Sequence, residues 1–213
     1  MEELHRVDNT LVAGAPLAEA RAAMILVHGR GGTAESMLPL ANAIGRGDIA
    51  YRAPQALGNT WYPYPFLAPL DRNEPYLSSA LAVLEALVAQ LADEGVATNR
   101  VAIVGFSQGA CLATEFAARR ARRYGFIAAL TGGLIGPPGT PRTYTGSLEA
   151  TPVFLGCSDI DPHIPLQRVD ETADVLAALG ADVDKRIYAD MGHVVNDDEI
   201  DVLRALLDRL ASG

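Results

Sequence analysis

The 213-residue sequence predicts an α/β fold with a mostly parallel β-sheet and helices on both faces. Short, continuous apolar runs, such as residues 22–27 and 101–104, are typical of strands that are covered on both faces. Segments with helical spacing of apolar residues alternate with these runs along nearly the whole chain. No internal repeat or linker interrupts the alternation, so we expect a single domain, residues 1–213. At this length we expect a minimal cap or none.

The first quarter of the chain supplies the elements expected at one side of the sheet. Residues 4–20 suggest a short antiparallel hairpin at the sheet edge, and residues 22–27 and 48–53 suggest strands. A helix is expected between these strands over residues 33–44, where Pro39 either kinks it or delays its start.

The rest of the chain continues the alternation. Leucine and valine residues three or four positions apart predict a helix from Pro75 to Glu94, and Gly95 is its expected C-terminal stop. Further helices are expected after Ser107, over residues 169–179 and from Asn196 onward. The remaining strands are expected at residues 101–104, 125–132, 151–156 and 183–188.

Two irregular stretches interrupt this pattern. Residues 54–75 are rich in proline and aromatic residues and contain the only tryptophan, Trp61. Loops of this length are uncommon in compact domains unless they are functional, so an active-site wall is one interpretation. A packed connection with ordinary core aromatics is the other. Residues 132–150 form a second irregular stretch, rich in glycine and proline.

Composition excludes several classes of function. A formal charge of −9 and a pI near 4.8, with one lysine, Lys185, argue against a nucleic-acid surface. We expect no stable membrane insertion, because no uninterrupted apolar stretch approaches the roughly 20 residues that span a bilayer. The N-terminus lacks a signal-peptide core, which favours a cytoplasmic location. Cys111 and Cys157 are too few for a disulfide framework and are expected to be buried.

A Gly-x-Ser-x-Gly motif follows the predicted strand 101–104. In Gly105-Phe-Ser-Gln-Gly109, the serine lies on a tight strand-to-helix turn, and the two glycines leave room for neighbouring backbone. The helix that begins there directs unpaired N–H groups and a partial positive charge at the same point. This context predicts a nucleophile elbow with Ser107 as the nucleophile.

A serine hydroxyl needs a neighbouring base, and the base needs an orienting carboxylate. Ligands of such folds bind beyond the carboxyl ends of the strands, so the base is sought there. His5 precedes the sheet and is expected at the surface, while His28 is expected to support its glycine-rich turn. His163 follows the acidic turn too closely to bend back on it. We therefore assign the base to His193.

Two acids compete for the third role. Asp161 directly precedes Pro162 and lies just before a predicted helix, so its side chain belongs to a rigid turn. Asp159 is expected to bind backbone in the same turn. We favour Asp161, which gives the chain order Ser, Asp, His that is typical of α/β-hydrolases.

The motifs as a set resemble a known family, the phospholipase/carboxylesterase group of α/β-hydrolases, which includes acyl-protein thioesterases. The resemblance runs from about Met24 to the C-terminus. It depends on His28-Gly-Arg-Gly-Gly32, Gly58-Asn-Thr-Trp-Tyr-Pro63, Gly105-Phe-Ser-Gln-Gly-Ala110, Asp161-Pro-His-Ile-Pro165 and Gly192-His193.

The resemblance implies the same catalytic residues, Ser107, Asp161 and His193. It also implies that the backbone N–H groups of Arg30 and Gln108 form an oxyanion hole. The sequence departs from acyl-protein thioesterases after His-Gly, where they carry a small or aliphatic residue and then Gly-Asp. Here an arginine side chain either projects over the acyl pocket or points to solvent.

These observations predict a serine carboxylesterase for short- to medium-chain esters, with no metal or cofactor. The expected substrate contacts are Gly29, Trp61, Tyr62 and Phe66, with the 132–150 stretch completing an open pocket. The alternatives are a thioesterase or lysophospholipase with the same triad, and a catalytically silent hydrolase-fold binding protein. The expected partner is a small-molecule ester, and a homodimer is a further expectation.

Overall fold

The computed structural model describes residues 4–212, which contain one seven-stranded sheet. The strand order is β1-β3-β2-β4-β5-β6-β7. Strand β1 pairs antiparallel with β3, and all other neighbours are parallel. The strands are β1 (Thr10–Gly14), β2 (Ala22–Val27), β3 (Ile49–Pro54), β4 (Val101–Phe106), β5 (Phe126–Leu130), β6 (Pro152–Ser158) and β7 (Asp182–Tyr188). The sequence-based α/β prediction is confirmed.

Five α-helices cover the two faces of the sheet in the described part of the chain. They are α1 (Leu38–Ile44), α2 (Tyr76–Asp93), α3 (Gln108–Arg119), α4 (Leu166–Ala178) and α5 (Asp197–Ser212). Alternate residues of β2 enter different cores: Ile25 packs in the core that contains α2, α3 and α4, while Met24 packs in the core that contains α1 and α5. This period-two alternation follows from the pleat of a strand, and it explains why both faces of the run had to be apolar.

Helix α2 is the one described helix that is long and apolar enough, by length and composition, to cross a membrane. Seven of its side chains are buried in the core on its face of the sheet: Leu77, Ala80, Val83, Leu84, Leu87, Val88 and Leu91. Packing against the sheet therefore accounts for the apolar stripe that predicted this helix.

Near the N-terminus, one sequence-based prediction is wrong and one choice between two alternatives is resolved. Residues 4–20 form no hairpin, because β1 pairs with β3 rather than with a strand of its own segment. Of the two alternatives for Pro39, the delayed start is the one observed. A 3-10 turn covers Glu35–Met37, and α1 begins at Leu38 with Pro39 in its first turn, where a proline leaves no helical hydrogen bond unmade.

The parallel strands place their carboxyl ends at the same edge of the sheet. Strand β2 ends before His28, β4 before Ser107, β6 before Asp159, and β7 before Asp190 and the loop that carries His193. The loops that carry His28, Ser107, Asp161 and His193 thus lie at the same edge of the sheet, although up to 165 positions separate these residues in the chain.

Candidate active site

Ser107 occupies the turn between β4 and α3 in a backbone conformation that side chains rarely adopt, with φ 54° and ψ −118°. A Cβ on Gly105 would lie 2.2 Å from the carbonyl oxygen of Gly109, and one on Gly109 would lie 2.1 Å from that of Val27. Only glycine fits at either position. The surrounding backbone therefore stabilises a turn whose strain is on the order of 1–3 kcal/mol, and the hydroxyl projects from the sheet edge.

A continuous hydrogen-bonded chain joins the three side chains that the sequence brings forward. Nε2 of His193 lies 2.8 Å from Oγ of Ser107, and Nδ1 of His193 lies 2.7 Å from Oδ2 of Asp161. A carboxylate has no proton to donate, so Nδ1 carries the imidazole proton and Nε2 is free to accept one.

Asp161 is held rigidly because its side chain is buried and both of its oxygens are in use. Oδ1 accepts hydrogen bonds from the backbone N–H groups of His163 at 2.8 Å and Ile164 at 3.0 Å. Its second oxygen is left for His193. Asp159, the competing acid, accepts the N–H of Asp190 at 2.9 Å and so ties the β6 and β7 loops together.

The remaining histidines lie outside this chain of hydrogen bonds. His28 accepts the N–H of Ala56 on Nε2 at 3.1 Å and donates from Nδ1 to the carbonyl of Gly29 at 2.7 Å, so it does support its turn. Burial lowers its pKa. The ring of His163 packs edge-on against His193, with ring centroids 4.9 Å apart.

The expectation of a surface position for His5 is wrong, since only 2% of the residue is exposed. Its Nε2 lies 2.9 Å from the carbonyl of Trp61, and its Nδ1 accepts the N–H of Leu57 at 3.0 Å. Desolvation by burial lowers its pKa. Sequence position suggested the surface because the residue precedes the sheet, whereas the long loop after β3 folds back over it.

The backbone N–H groups of Arg30 and Gln108, the expected oxyanion donors, have no intramolecular acceptors among residues 4–212. The N–H of Gln108 opens α3 and shares the positive end of its dipole. Arg30 follows Gly29, where a Cβ would lie 3.2 Å from Cβ of Ser107, so the glycine-rich turn runs close to the nucleophile. Both donors fit the expected oxyanion hole.

Of the two positions expected for the Arg30 side chain, over the acyl pocket or towards solvent, the structure favours the first, since Arg30 lines the cavity beside Ser107. Its guanidinium is also bound to the loop of residues 54–75, which the sequence did not predict. It donates from Nη1 to Oγ1 of Thr60 at 3.0 Å and to the carbonyl of Pro63 at 2.9 Å. From Nη2 it donates to the carbonyls of Tyr62 at 3.0 Å and Tyr64 at 2.8 Å. One side chain thus fastens the proline- and aromatic-rich loop, residues 54–75, to the oxyanion turn, the glycine-rich turn of residues 28–32. The planar, five-donor fork of arginine is suited to such a cluster of acceptors.

The side chain of Gln108 binds the same loop from the other donor. Its Oε1 accepts the N–H of Trp61 at 2.9 Å and the hydroxyl of Thr60 at 3.2 Å, and its Nε2 donates to the carbonyl of Tyr62 at 2.8 Å. Sequence reasoning missed both side-chain roles, because their partners lie 30 to 48 positions away along the chain.

A cavity of about 610 Å³ opens beside Ser107. Three expected contacts, Gly29, Tyr62 and Phe66, line it. The further lining residues are Arg30, Pro63, Pro65, Leu67, Phe106, Ser107, Gln108, Cys111, His163, Ile164 and His193. Burial raises the pKa of the Cys111 thiol to about 12, so this wall is a neutral thiol and not a second nucleophile.

Two of the expected walls are absent from this cavity. Trp61 is fully buried and donates from Nε1 to the carbonyl of His28 at 2.9 Å, so its ring supports the oxyanion turn from beneath. Residues 132–150 contribute no side chain to the lining. Their polar groups are bound to α3 and α4 instead.

Known proteins resemble this chain in sequence. The family model described as Phospholipase/Carboxylesterase matches residues 9–210. The chain is 26% identical to Acyl-protein thioesterase 1 of Saccharomyces cerevisiae over 96% of this chain and 100% of that protein. It is 29% identical to Acyl-protein thioesterase 1 of Gibberella zeae over 57% of this chain and 52% of that protein.

A solved structure resembles the chain over almost its whole length. The crystal structure of a phospholipase/carboxylesterase from Dyadobacter fermentans superposes with a TM-score of 0.90 at 40% identity, covering 93% of this chain and 96% of that one. The residues that the family model matches, 9–210, include all seven strands and the three residues of the candidate site. The chain therefore belongs to the phospholipase/carboxylesterase family of hydrolases and has their α/β-hydrolase fold.

Proposed function

We propose that the protein is a serine carboxylesterase that hydrolyses short- to medium-chain esters through an acyl-enzyme intermediate. The observation that carries this proposal is the unbroken hydrogen-bonded chain from Ser107 through His193 to the buried Asp161. Such a chain supplies a nucleophile, a base in the correct tautomer and a fixed carboxylate that stabilises the imidazolium.

In the acylation half-reaction, Oγ of Ser107 attacks the ester carbonyl carbon and its proton passes to Nε2 of His193. The carbonyl oxygen becomes an oxyanion that accepts hydrogen bonds from the N–H groups of Arg30 and Gln108. The C–O bond to the alcohol then breaks as His193 returns the proton to the alcohol oxygen. The acyl group stays on Ser107.

Deacylation repeats the sequence with water in place of the serine. His193 removes a proton from water, the resulting hydroxide attacks the acyl carbon, and the serine oxygen leaves with the proton from His193. The carboxylic acid is released and Ser107 is restored. Preorganised oxyanion donors are worth on the order of 10²–10³ in rate each in related chemistry, which makes the two N–H groups central to this scheme.

An acyl thioesterase is the second candidate, since the relatives from Saccharomyces cerevisiae and Gibberella zeae are both named acyl-protein thioesterases. The same attack and the same oxyanion serve a thioester. The cavity of about 610 Å³ suits an acyl chain of short or medium length. A panel of p-nitrophenyl esters from acetate to palmitate, measured beside the matching thioesters, distinguishes the two.

The test of the triad is Ser107→Ala, which we expect to lower kcat for p-nitrophenyl butyrate by roughly 10⁴-fold or more without unfolding the protein. A fluorophosphonate probe should label the wild type and not this variant. The matched control is Ser147→Ala, an exposed serine in the second irregular stretch, which should retain activity and labelling.

Unchanged ester hydrolysis in Ser107→Ala would overturn the assignment. Absence of labelling in the wild type would instead support a silent hydrolase-fold binding protein. The cytoplasmic location and the homodimer stay predictions.

A further inference from the structure

We propose that a second cavity, beside the catalytic one, binds the alcohol part of the ester and selects an apolar alcohol. This inference rests on the proposed function, because it assigns a role to the leaving group of that reaction. The cavity has a volume of about 420 Å³. Below, the 610 Å³ cavity is called the acyl cavity and this one the alcohol cavity.

The two cavities lie side by side at His193, the proposed base. Both are lined by Gly29, Arg30, Phe106 and His193. The rings of Phe106 and His193 pack with centroids 5.2 Å apart and form the wall between them. A substrate whose carbonyl lies at Ser107 can therefore extend into either cavity.

Each cavity also has walls of its own. Ser107 and Gln108 line only the acyl cavity, together with Tyr62, Phe66 and Leu67. The alcohol cavity is completed by Gly32, by Ser36 and Met37 of the 3-10 turn, by Leu40 of α1, and by Val194 and Val195 after the proposed base.

The chemistry decides which part of the ester enters which cavity. The acyl carbon is bonded to Ser107 in the intermediate, and its oxyanion points to the N–H groups of Arg30 and Gln108. The alcohol oxygen must lie at Nε2 of His193 to receive its proton. The acyl chain and the alcohol leave the tetrahedral carbon in different directions. The cavity on the Val194–Val195 side of His193 is the one left for the alcohol.

The lining selects the chemical class of the alcohol. Val194 is 51% exposed, and Leu40 and Val195 are partly exposed, so an apolar surface stands open beside the reacting atoms. Arg30 is the one formally charged side chain of the lining besides the titratable His193, and carbonyls and a hydroxyl occupy its guanidinium. A phosphate-bearing alcohol finds no free cation here. An alkyl or aryl alcohol covers apolar surface instead.

A matched pair of leucines tests the assignment. Leu40 lines only the alcohol cavity, Leu67 lines only the acyl cavity, and both are partly buried. The substitutions Leu40→Phe and Leu67→Phe each fill one cavity. The substrates are alkyl acetates from methyl to octyl, which vary the alcohol, and methyl esters from acetate to octanoate, which vary the acid.

For Leu40→Phe we expect the kcat/KM ratio of octyl to methyl acetate to fall about tenfold, the effect of excluding about two methylene groups. The ratio of methyl octanoate to methyl acetate should stay within about twofold. Leu67→Phe should show the reverse pattern. An effect of Leu40→Phe on the acid series, or on neither series, overturns the proposal.

A second pair of variants tests the chemical class without changing the core. Val194→Asp places a carboxylate in the alcohol cavity, and Ile160→Asp places one at a loop residue that is 58% exposed and lines neither cavity. The substrates are acetylcholine and its neutral isostere 3,3-dimethylbutyl acetate, whose ratio cancels any general effect on His193.

The wild type should prefer the neutral ester, and Val194→Asp should shift the ratio towards the cationic one by roughly threefold, while Ile160→Asp should leave it unchanged. An unchanged ratio in Val194→Asp, or a shift of equal size in Ile160→Asp, overturns the alcohol cavity. The Ser107→Ala variant separates this failure from a failure of the proposed function. If Ser107→Ala is inactive and the ratios do not move, only the alcohol cavity is wrong.

Discussion

The two irregular stretches of the chain, residues 54–75 and 132–150, have different roles in the structure. Both are rich in turn-forming residues, and both were expected to wall the substrate pocket. The first, called here the aromatic loop, lines the acyl cavity with Tyr62 and Phe66. The second lies between β5 and β6 and is called the α3–α4 loop, because side chains of those two helices bind it. It does not reach the acyl cavity.

The difference lies in which side chains satisfy the backbone of each loop. The aromatic loop is bound by the side chains of Arg30 and Gln108, the two residues whose N–H groups are the proposed oxyanion donors. The α3–α4 loop is bound by Glu115, which accepts the N–H of Ile135 at 3.0 Å, and by Arg168, which donates to the carbonyls on either side of that residue at 2.6 Å.

A backbone hydrogen bond joins the two loops: the N–H of Gly136 donates to the carbonyl of Phe66 at 2.7 Å. The α3–α4 loop thus supports the cavity wall without being part of it. Because buried backbone groups need partners, the location of a loop follows the side chains that supply them. Four predictions follow for the side chains that hold these loops and for one further buried carboxylate.

Glu115→Ala should act on stability and hardly on catalysis. The Glu115 carboxylate is 1% exposed, pairs with Arg119 at 2.6 Å and accepts the hydroxyl of Tyr144. Its loss leaves those donors unpaired, so the free energy of unfolding by urea should fall by about 3 kcal/mol. The folded variant should keep kcat/KM within about threefold.

The control is Glu85→Ala, which removes a partly exposed ion pair with Arg122 and should change the unfolding free energy by under about 1 kcal/mol. A loss of kcat/KM in folded Glu115→Ala as large as the loss expected for Arg30→Met would contradict the view that the two loops have different roles.

Arg30→Met should act on catalysis more than on stability. The backbone N–H of residue 30 is retained, but the aromatic loop loses four hydrogen bonds to the side chain. A displacement of the oxyanion turn by about 1 Å lowers the rate on the order of 100-fold. The loss should appear in kcat, because the oxyanion forms only in the transition state.

Arg72→Met serves as the control for this variant. Arg72 is exposed and stacks at 4.0 Å from the ring centroid of Tyr64 on the same loop, so its removal should leave kcat nearly unchanged. Equal kinetics for Arg30→Met and the wild type would show that the loop holds its place without the arginine.

Glu199 is a second buried carboxylate. Unlike Glu115, it forms no ion pair among the described residues. Its Oε2 accepts the N–H of Asn196 at 2.9 Å, while Oε1 lies buried against Gly156 with no partner in the described structure. Desolvation by burial raises its pKa to about 7 from 4.5.

Because its pKa is higher in the folded protein, the Glu199 carboxyl binds a proton more tightly in the folded than in the unfolded state. Protonation therefore favours the folded state at low pH, and this stabilisation is lost as the pH rises through the folded pKa. The contribution of Glu199 to the free energy of unfolding should therefore fall by about 2 kcal/mol between about pH 5 and about pH 7. It is measured as the difference between the wild type and Glu199→Gln, because the lowered pKa values of the buried His5 and His28 act in the opposite direction in both proteins. Glu199→Gln should remove this dependence, and Glu19→Gln, at an exposed site, should preserve it. Parallel pH profiles for Glu199→Gln and the wild type would contradict the assignment.

Thr60→Val should give the smallest effect. It removes one acceptor of Arg30 and the hydroxyl that donates to Gln108, and it leaves the three carbonyls of the loop in place. We expect kcat/KM to fall about threefold and the unfolding free energy to fall by about 1 kcal/mol. Thr143→Val, at an exposed residue of the α3–α4 loop, should change neither. An effect as large as that of Arg30→Met would place the anchoring in the hydroxyl.

The sequence by itself determined the parallel sheet and the strand exits that carry Ser107, Asp161 and His193. These features are local: apolar runs are continuous, and Gly105 and Gly109 stand beside the residue whose turn they permit. Chain order and the rule that parallel strands share one carboxyl edge then brought the three residues together.

The long-range contacts that hold the loops around the site could be identified only from the three-dimensional structure. The burial of His5 and Trp61 and the hydrogen bonds of the Arg30 side chain join segments 30 or more positions apart, with partners that no local pattern marks. The separation of the two irregular loops has the same origin. Both loops were expected to wall the pocket, and long-range hydrogen bonds to Arg30 and Gln108 or to Glu115 and Arg168 determined which one lines the cavity.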